Sequence, residues 1–368
     1  MRTLLSQLNY GQMRTRLILI VIAVLAMSGC GQGGGRGQAG KNGAAAGACV
    51  LRDDIDCSRG IYFWKSVFSL SDNEVMFLKS HEVKRLYVKM FDVAAEAETG
   101  TDNREVVPVA TIRFVSTKPA DVSIIPTVYI TLEALKLSAG KEPELAKNIV
   151  DRVLAMASFN DLGPIGTIQL DCDWTESTRS SYFTLCREVR KLISRKGILL
   201  SGTVRLHQVY DKGLPFDKCV LMIYNLGGIR RAATRNSILD YDTVKKYVDR
   251  QAALNNFDFA YPAFGWGVWF RGTEFMGLLH TTDFSDRESF EPCDGNSVRV
   301  LKAQDIENHK IKKGDTIRIE TSEIGEILKV KKRIERFLGR EAHGNIIYHL
   351  DSLNLLKYAE NEIENIYR

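Results

Sequence analysis

The stretch that most constrains this chain is Gly166 to Arg179, GTIQLDCDWTESTR, which runs directly into a helix-like segment from Ser180 to Lys196. Ile168, Leu170 and Cys172 alternate with Gln169, Asp171 and Asp173, the period of a β-strand. Alternation puts Gln169, Asp171 and Asp173 on one face. Two carboxylates then stand side by side where the strand ends, their Cβ atoms about 6–7 Å apart by strand rise. A strand that closes on paired acids and enters a helix is how the catalytic end of a (β/α) barrel is built, because sites on that architecture lie at the strand C-termini.

Strand and helix signals alternate along the rest of the chain. Strand one is expected at Gly60–Leu70 with a helix over Ser71–Ser80, and strand two at Arg85–Val93, with Tyr87, Lys89 and Phe91 inward and Val88 and Met90 outward. An extra strand or hairpin falls at Val107–Val115. Strand three is Ser123–Ile130, its middle weakened by Pro126, and a helix at Glu142–Ser158 precedes the acid-bearing strand four. Strand five, Gly197–His207, would turn Ser201, Thr203, Arg205 and His207 inward. Strand six is Lys218–Asn225, a helix spans Tyr241–Leu254, and strand seven is Phe257–Phe264, followed by the aromatic run Gly265–Arg271. Residues 281–315 are polar and irregular and predict an insertion over the barrel mouth. Another strand begins at Thr316–Glu320, and Glu323–Leu338 is a charged amphipathic helix. Asn345–Asp351 is expected as the eighth strand, with a closing helix at Tyr358–Tyr367. This alternation implies a parallel sheet. The expected fold class is α/β, a (β/α)8 TIM-type barrel with insertions over residues 58–368; two small α/β domains are the structural alternative.

Ahead of the barrel, Arg2, Arg14 and Arg16 flank an apolar core from Leu17 to Ala26, too short for a comfortable transmembrane helix, which needs about 20 residues. It ends in Met27-Ser28-Gly29-Cys30, which looks like a bacterial lipobox. Residues 1–29 are therefore expected to be a lipoprotein signal peptide, with Cys30 carrying the lipid (palmitate) anchor. A plain secretory signal or an N-terminal anchor helix is the other reading. Residues 30–57 begin with a Gly- and Ala-rich tether whose reach is on the order of 20 Å. Gly31 in place of Asp favours the outer membrane of the cell envelope. Cys49 and Cys57 could form a small disulfide in an oxidising compartment. Residues 1–49 contain five basic residues and no acid; removing them from the formal charge of +5 leaves 45 basic against 45 acidic residues. The folded part is neutral, and no nucleic-acid partner is expected.

The inner-face residues at the strand ends are Lys65, Lys89, Asp171, Asp173, Arg205, His207, Asn225, Tyr261, Glu320, His349 and Asp351. Structural barrels fill their interiors with Val, Ile and Leu, and unpaired buried charge is costly. So much polarity either forms internal salt bridges, Asp171 with Arg205 and Asp173 with Lys89, or builds a site. Asp171, Asp173, His207 and His349 could reach one metal ion, but no HxH or HExxH spacing supports it, and no metal or cofactor is called. GxSxG, P-loop and strand-to-helix GxGxxG motifs are absent.

The strand LDCDW, taken with MIYN on strand six, resembles the barrel of chitinase-type (family 18) glycoside hydrolases, which carry DxDxE on strand four and M-x-Y-D on strand six. Asp171 and Asp173 fall on the two aspartates, and Met222 and Tyr224 on the Met and Tyr. Two positions depart: Thr175 stands where the catalytic Glu is, and Asn225 where the strand-six Asp is. Glu176 is adjacent but turned away by alternation. The wider pattern QLDCDW, TVRLHQ, MIYN, AYPAFGWGVWFR, TIRIE and IIYHLD is similar to uncharacterised bacterial glycosyl-hydrolase-like TIM-barrel lipoproteins. The resemblance implies a carbohydrate ligand. Hydrolysis needs one carboxylic acid and one carboxylate flanking the bond, which makes Asp171 and Asp173 the catalytic candidates, with Glu320 or Asp351 supplying the opposite side. Lys65, Arg205, His207, Tyr224, Asn225, Tyr261, Trp266, His349 and Asp351 are the candidate substrate-binding residues. Trp64, Trp174, Tyr261, Trp266 and Trp269 offer flat faces to sugar rings, although parity turns Trp174 to the helices. A non-catalytic glycan-binding barrel, which Thr175 suggests, and a structural envelope lipoprotein are the alternatives.

Overall fold

The structure is a computed structural model that describes residues 59–97, 103–249, 254, 256–293, 295–337 and 343–368. The expected signal peptide, Cys30, the Gly-rich tether and the Cys49–Cys57 pair lie outside the described residues. Eight strands run parallel: β1 (Arg59–Phe63), β2 (Arg85–Ala97), β3 (Ser123–Ile130), β4 (Thr167–Asp171), β5 (Leu199–Arg205), β6 (Lys218–Met222), β7 (Phe257–Pro262) and β8 (Asn345–Tyr348). Each pairs with the next, and β8 returns to β1 through Gly60 opposite Ile346, so the sheet closes into a barrel. Closure removes the exposed edges that a parallel sheet of this size would otherwise present.

The outward residues of the strands are long and apolar. Ile61, Leu170, Leu200, Leu221 and Ile347 are fully buried beneath the surrounding helices, each such side chain contributing about 1.5–3 kcal/mol by leaving water. Close packing fixes Gly202 on β5, where a Cβ would sit 2.2 Å from the ring of Phe216. The helices Glu142–Phe159 and Glu176–Ser194 pack against each other outside β3 to β5. The predicted helix at 241–254 is short, Tyr241–Val244, capped by Asp240; the β-branched Thr243, Val244 and Val248 propagate a helix poorly.

The interior is polar rather than aliphatic. Tyr62 donates to Gln169 Oε1 at 2.9 Å, Thr127 donates to the same oxygen at 3.4 Å, and Gln169 Nε2 donates to Ser201 Oγ at 3.1 Å. At the lower end Asp258 crosses the barrel to Arg85 at 2.8 Å, lies 3.5 Å from Lys218, and accepts from the Gly344 amide at 2.7 Å. Arg85 and Lys218, with that amide, outweigh burial and hold its carboxyl below the ordinary range.

Two predictions of side-chain direction are overturned. Between Lys89 and Phe91 the pairing of β2 with β3 shifts by one residue, so Met90 is an extra residue in the strand. A bulge reverses parity beyond it. Phe91 therefore faces the helix shell, under the Arg152 guanidinium at 5.1 Å, and Asp92 turns inward to pair with Lys89 at 3.0 Å. On β7 the inward residue is Asp258, so Phe259 and Tyr261 point outward; Tyr261 is buried with Glu335 of the helix Ile324–Glu335 as its charged neighbour.

The expected insertion is larger and more regular than the polar composition of 281–315 suggests. Gly265–Arg271, Glu274–Leu279, Phe290–Pro292, Ser297–Val300 and Thr316–Thr321 form one antiparallel sheet, with a hairpin of Gln304–Ile306 and His309–Ile311 beside it. The aromatic run after β7 is thus a strand of this sheet, and Trp266 lies opposite Glu320. Trp269, Phe290, Val298, Val300 and Ile317 give it a core of its own.

Candidate functional site

At the C-terminal mouth of the barrel lies a cleft of about 370 Å3 between the ends of β4, β5 and β6. Asp173, Arg205, His207, Tyr224 and Asn225 line it together with Thr175 and Met222. Five of the residues expected from the sequence therefore converge. Strand β5 ends at Arg205, and a 3-10 turn, Leu206–Gln208, carries exposed His207 to the rim. Asn225 adopts φ 54°, a left-handed conformation that Asn tolerates better than most residues, and this turns the chain out of β6.

The two aspartates have different partners. Asp171 is 4% exposed and accepts from Thr203 Oγ1 at 2.6 Å. Burial pushes its carboxyl up, opposed by the Arg205 charge. Asp173 is half open to the cleft and accepts from Arg205 Nε at 2.5 Å. The expected pairs are therefore exchanged: Arg205 joins Asp173, and Lys89 joins Asp92. Burial works against the Arg205 charge, but Asp171 and Asp173 outweigh it and hold the guanidinium ionised. Its Nη1 is buried without a protein hydrogen-bond partner. Burial first, then the charges of Asp173 and Asp171, pushes Tyr129 up to about 12.

Asp92 and Tyr129 therefore belong to this electrostatic group and were not among the sequence candidates. The bulge at Met90 hides Asp92 from any alternation count. Tyr129 was legible, since it shares the inner face of β3 with Thr127.

Six candidates lie elsewhere. Glu320 is fully buried on the small sheet, accepting from Arg318 Nε at 2.7 Å, Ser237 Oγ at 2.5 Å and Trp266 Nε1 at 2.7 Å. Asp351 caps the helix Ser352–Leu355, accepting from the Asn354 amide at 3.1 Å. Lys65 pairs with Glu74, which closes the capping box of the helix Asp72–Ser80. His349 has Asp351, Lys65 and Glu74 as its nearest charged neighbours; burial pushes its imidazole down, and its Nδ1 has no partner. Tyr261 faces the helices, and Trp266 belongs to the aromatic floor described next. Among the described residues no three His, Cys, Asp or Glu side chains group as an ion needs, so Asp171, Asp173, His207 and His349 do not form a ligand set.

Beside the cleft, aromatic rings form a continuous floor. Trp64 lies 6.0 Å from Tyr348, Tyr348 lies 4.8 Å from Tyr224 and 5.6 Å from Phe264, and Phe264 lies 5.1 Å from Trp266. Trp64, Tyr348 and Trp266 are partly exposed. Trp174 packs at 5.2 Å on Phe183 of the helix Glu176–Ser194, as parity predicts. Thr175 is the N-cap of that helix, and exposed Glu176 is its first residue.

No protein-family model matches the chain, and no curated protein matches its sequence. Solved structures do match. The C-terminal domain of a putative chitinase from Desulfitobacterium hafniense aligns with TM-score 0.51 at 9% identity, covering 84% of this chain and 98% of that one. A group IV chitinase from Ostrinia furnacalis aligns with TM-score 0.49 at 10% identity, covering 84% and 98%. The spore cortex-lytic enzyme SleL from Bacillus cereus aligns with TM-score 0.48 at 15% identity, covering 84% and 74%. The chain has the TIM-barrel fold of chitinase-type glycoside hydrolases.

Proposed function

We propose that this protein is an envelope-anchored glycan-binding barrel that holds sugar rings at the barrel mouth without hydrolysing them. The observation that carries this reading is that among the described residues the cleft wall contains one carboxylate, Asp173, and that this group is the ion-pair partner of Arg205. Most glycosidases flank the scissile bond with two carboxyl groups, and the substrate-assisted chitinase type still needs one free carboxylic acid to protonate the leaving oxygen. Asp171 and Asp173 rise from one strand on one side, Asp171 lies beneath the cleft surface, and Glu320 is enclosed by three hydrogen bonds in the small sheet. Thr175 stands at the position of the family's acid and serves as a helix cap.

The binding half of the reading rests on the aromatic floor from Trp64 to Trp266 and on the likeness to the chitinase barrel of Desulfitobacterium hafniense. Flat rings favour the apolar faces of sugars, and the Arg205, His207 and Asn225 side chains that line the cleft supply polar contacts at their edge. The lipobox ending at Cys30 supports a lipid anchor, and Gly31 in place of Asp favours the outer membrane.

A second reading, a hydrolase using Asp171 and Asp173, draws on the burial that raises the Asp171 carboxyl, the direction an acid catalyst needs. One experiment separates the two. The soluble part of the chain is incubated with chito-oligosaccharides, following binding by calorimetry and cleavage by released reducing ends. Binding without cleavage is expected. Cleavage that disappears in Asp173→Asn would sink the non-hydrolytic reading, and silence in both channels would sink the carbohydrate reading altogether. For the anchor, Cys30→Ala should move the protein from the membrane fraction to the soluble one.

A further inference from the structure

A second hollow, about 350 Å3, adjoins the cleft and shares Leu226, Gly227 and Thr243 with it. Its outer wall is the loop that follows β6, and Arg231 and Arg235 project from that loop, both exposed. The acid in this wall is Asp240. One of its oxygens accepts from the Thr243 amide at 2.8 Å and hydroxyl at 2.7 Å, and the other lies 3.5 Å from Arg235. Among the described residues no carboxylate is within ion-pair distance of Arg231.

The loop backbone is held from below in a way that surface loops rarely need. Arg318 donates to the carbonyls of Ile229 at 3.0 Å, Arg231 at 2.7 Å and Ala232 at 3.2 Å. The Gly228 carbonyl accepts from Thr234 Oγ1 at 2.7 Å and from the Arg231 amide at 2.9 Å, and Asn296 donates to the Arg235 carbonyl at 3.0 Å. Gly228 sits at φ +76°, and a Cβ there would come within 2.8 Å of Thr234 Oγ1, so the turn requires glycine. Arg318 is itself buried and paired with Glu320. Burying a charge pair has a large desolvation penalty, and here the pair fixes the shape of one loop.

The consequence is chemical. The carbonyl oxygens of Gly228, Ile229, Arg231, Ala232 and Arg235, which would repel an anion, are engaged by donors from the protein. The charged side chains left in the hollow are two guanidinium groups against the one carboxylate of Asp240, and a guanidinium matches a carboxylate with two parallel hydrogen bonds. We propose that the hollow walled by Arg231 and Arg235 is an anion subsite that extends the cleft and takes a carboxylate carried on the bound glycan. The subsite rests on the glycan-binding reading and narrows its ligand to acidic polysaccharides.

The test compares two hexasaccharides of one backbone by calorimetry: chitohexaose, and the same oligomer oxidised at C6 to carboxylates. The oxidised oligomer should bind about tenfold more tightly at low salt, a preference that fades as ionic strength rises and shortens the Debye length. In Arg231→Gln with Arg235→Gln the preference should vanish while affinity for chitohexaose and the melting temperature hold. Equal affinity for the two oligomers in the parent protein would overturn the subsite while leaving the glycan reading in place. A preference that survives in the double variant would also overturn it. Failure of both oligomers to bind would overturn the glycan reading, and the subsite with it.

Discussion

Two Arg–carboxylate pairs of this protein have the same chemistry and opposite surroundings. At the barrel mouth Arg205 meets Asp173, whose side chain is 47% exposed; in the small sheet Arg318 meets Glu320, which is 0% exposed. The buried pair is enclosed by protein partners: Glu320 accepts three hydrogen bonds, and Arg318 serves three carbonyls besides. The mouth pair is open, since Asp173 is exposed and both residues line the cleft. A buried pair bonded to protein on several sides holds a shape. A pair with an open carboxylate beside a cavity can bind. The architecture thus separates fixing from binding by burial rather than by residue type.

The contrast predicts a graded set of effects. Glu320→Ala leaves Arg318 buried and unpaired, and breaking such a pair costs about 3–5 kcal/mol; thermal melting should show the largest loss of stability of any substitution at either site. A loss below about 1 kcal/mol would show that the Arg318 cluster is not the fixed element described here. Next, Trp64→Ala removes one end of the aromatic floor and should weaken chito-oligosaccharide binding about tenfold, with unfolding read in parallel to separate affinity from stability. Unchanged affinity would place the ligand off that floor.

Asp171→Asn addresses the layer beneath the mouth. Burial raises this carboxyl in the folded state, so the folded protein binds a proton more readily than the unfolded chain. Stability from this group is therefore full below the ordinary carboxylate pKa of about 3.9 and falls as pH rises toward the folded value. The variant keeps an acceptor for Thr203 and should flatten that fall, measured as the difference in melting temperature between the two proteins from acid to neutral pH. A difference that does not change with pH would refute the buried-acid assignment. The smallest expected effect is on stability in Asp173→Asn, about 0–1 kcal/mol, because an exposed pair is screened by water; a larger loss in denaturant melts would make the mouth pair structural after all.

Much of this was legible in the chain before folding. Alternation along β4 and β5 turned Gln169, Asp171, Ser201, Thr203 and Arg205 inward, and the strand-to-helix sequence at Asp171–Glu176 marked the end of the barrel where the cleft lies. Periodicity is a local property: a strand's two faces follow from its own backbone, and the helix after it from its own cap. Closure into eight strands was legible for the same reason, as a repeated local unit.

What the local pattern could not carry was set by partners distant in sequence. Met90 is accommodated as an extra residue because of how β2 pairs with β3, and that single insertion exchanges Phe91 for Asp92 at the interior. Tyr261 faces the helices because Asp258 is drawn inward by Arg85 and Lys218 from strands far away in the chain. Glu320 reads as a strand-end acid in TIRIE, yet its strand pairs antiparallel with Gly265–Arg271, which places it beside Trp266 and Arg318 rather than over the cleft. Which face a residue takes is decided within its own strand until a bulge intervenes. Which site that face belongs to is decided by pairing energies between segments, and only the folded chain brings those segments together.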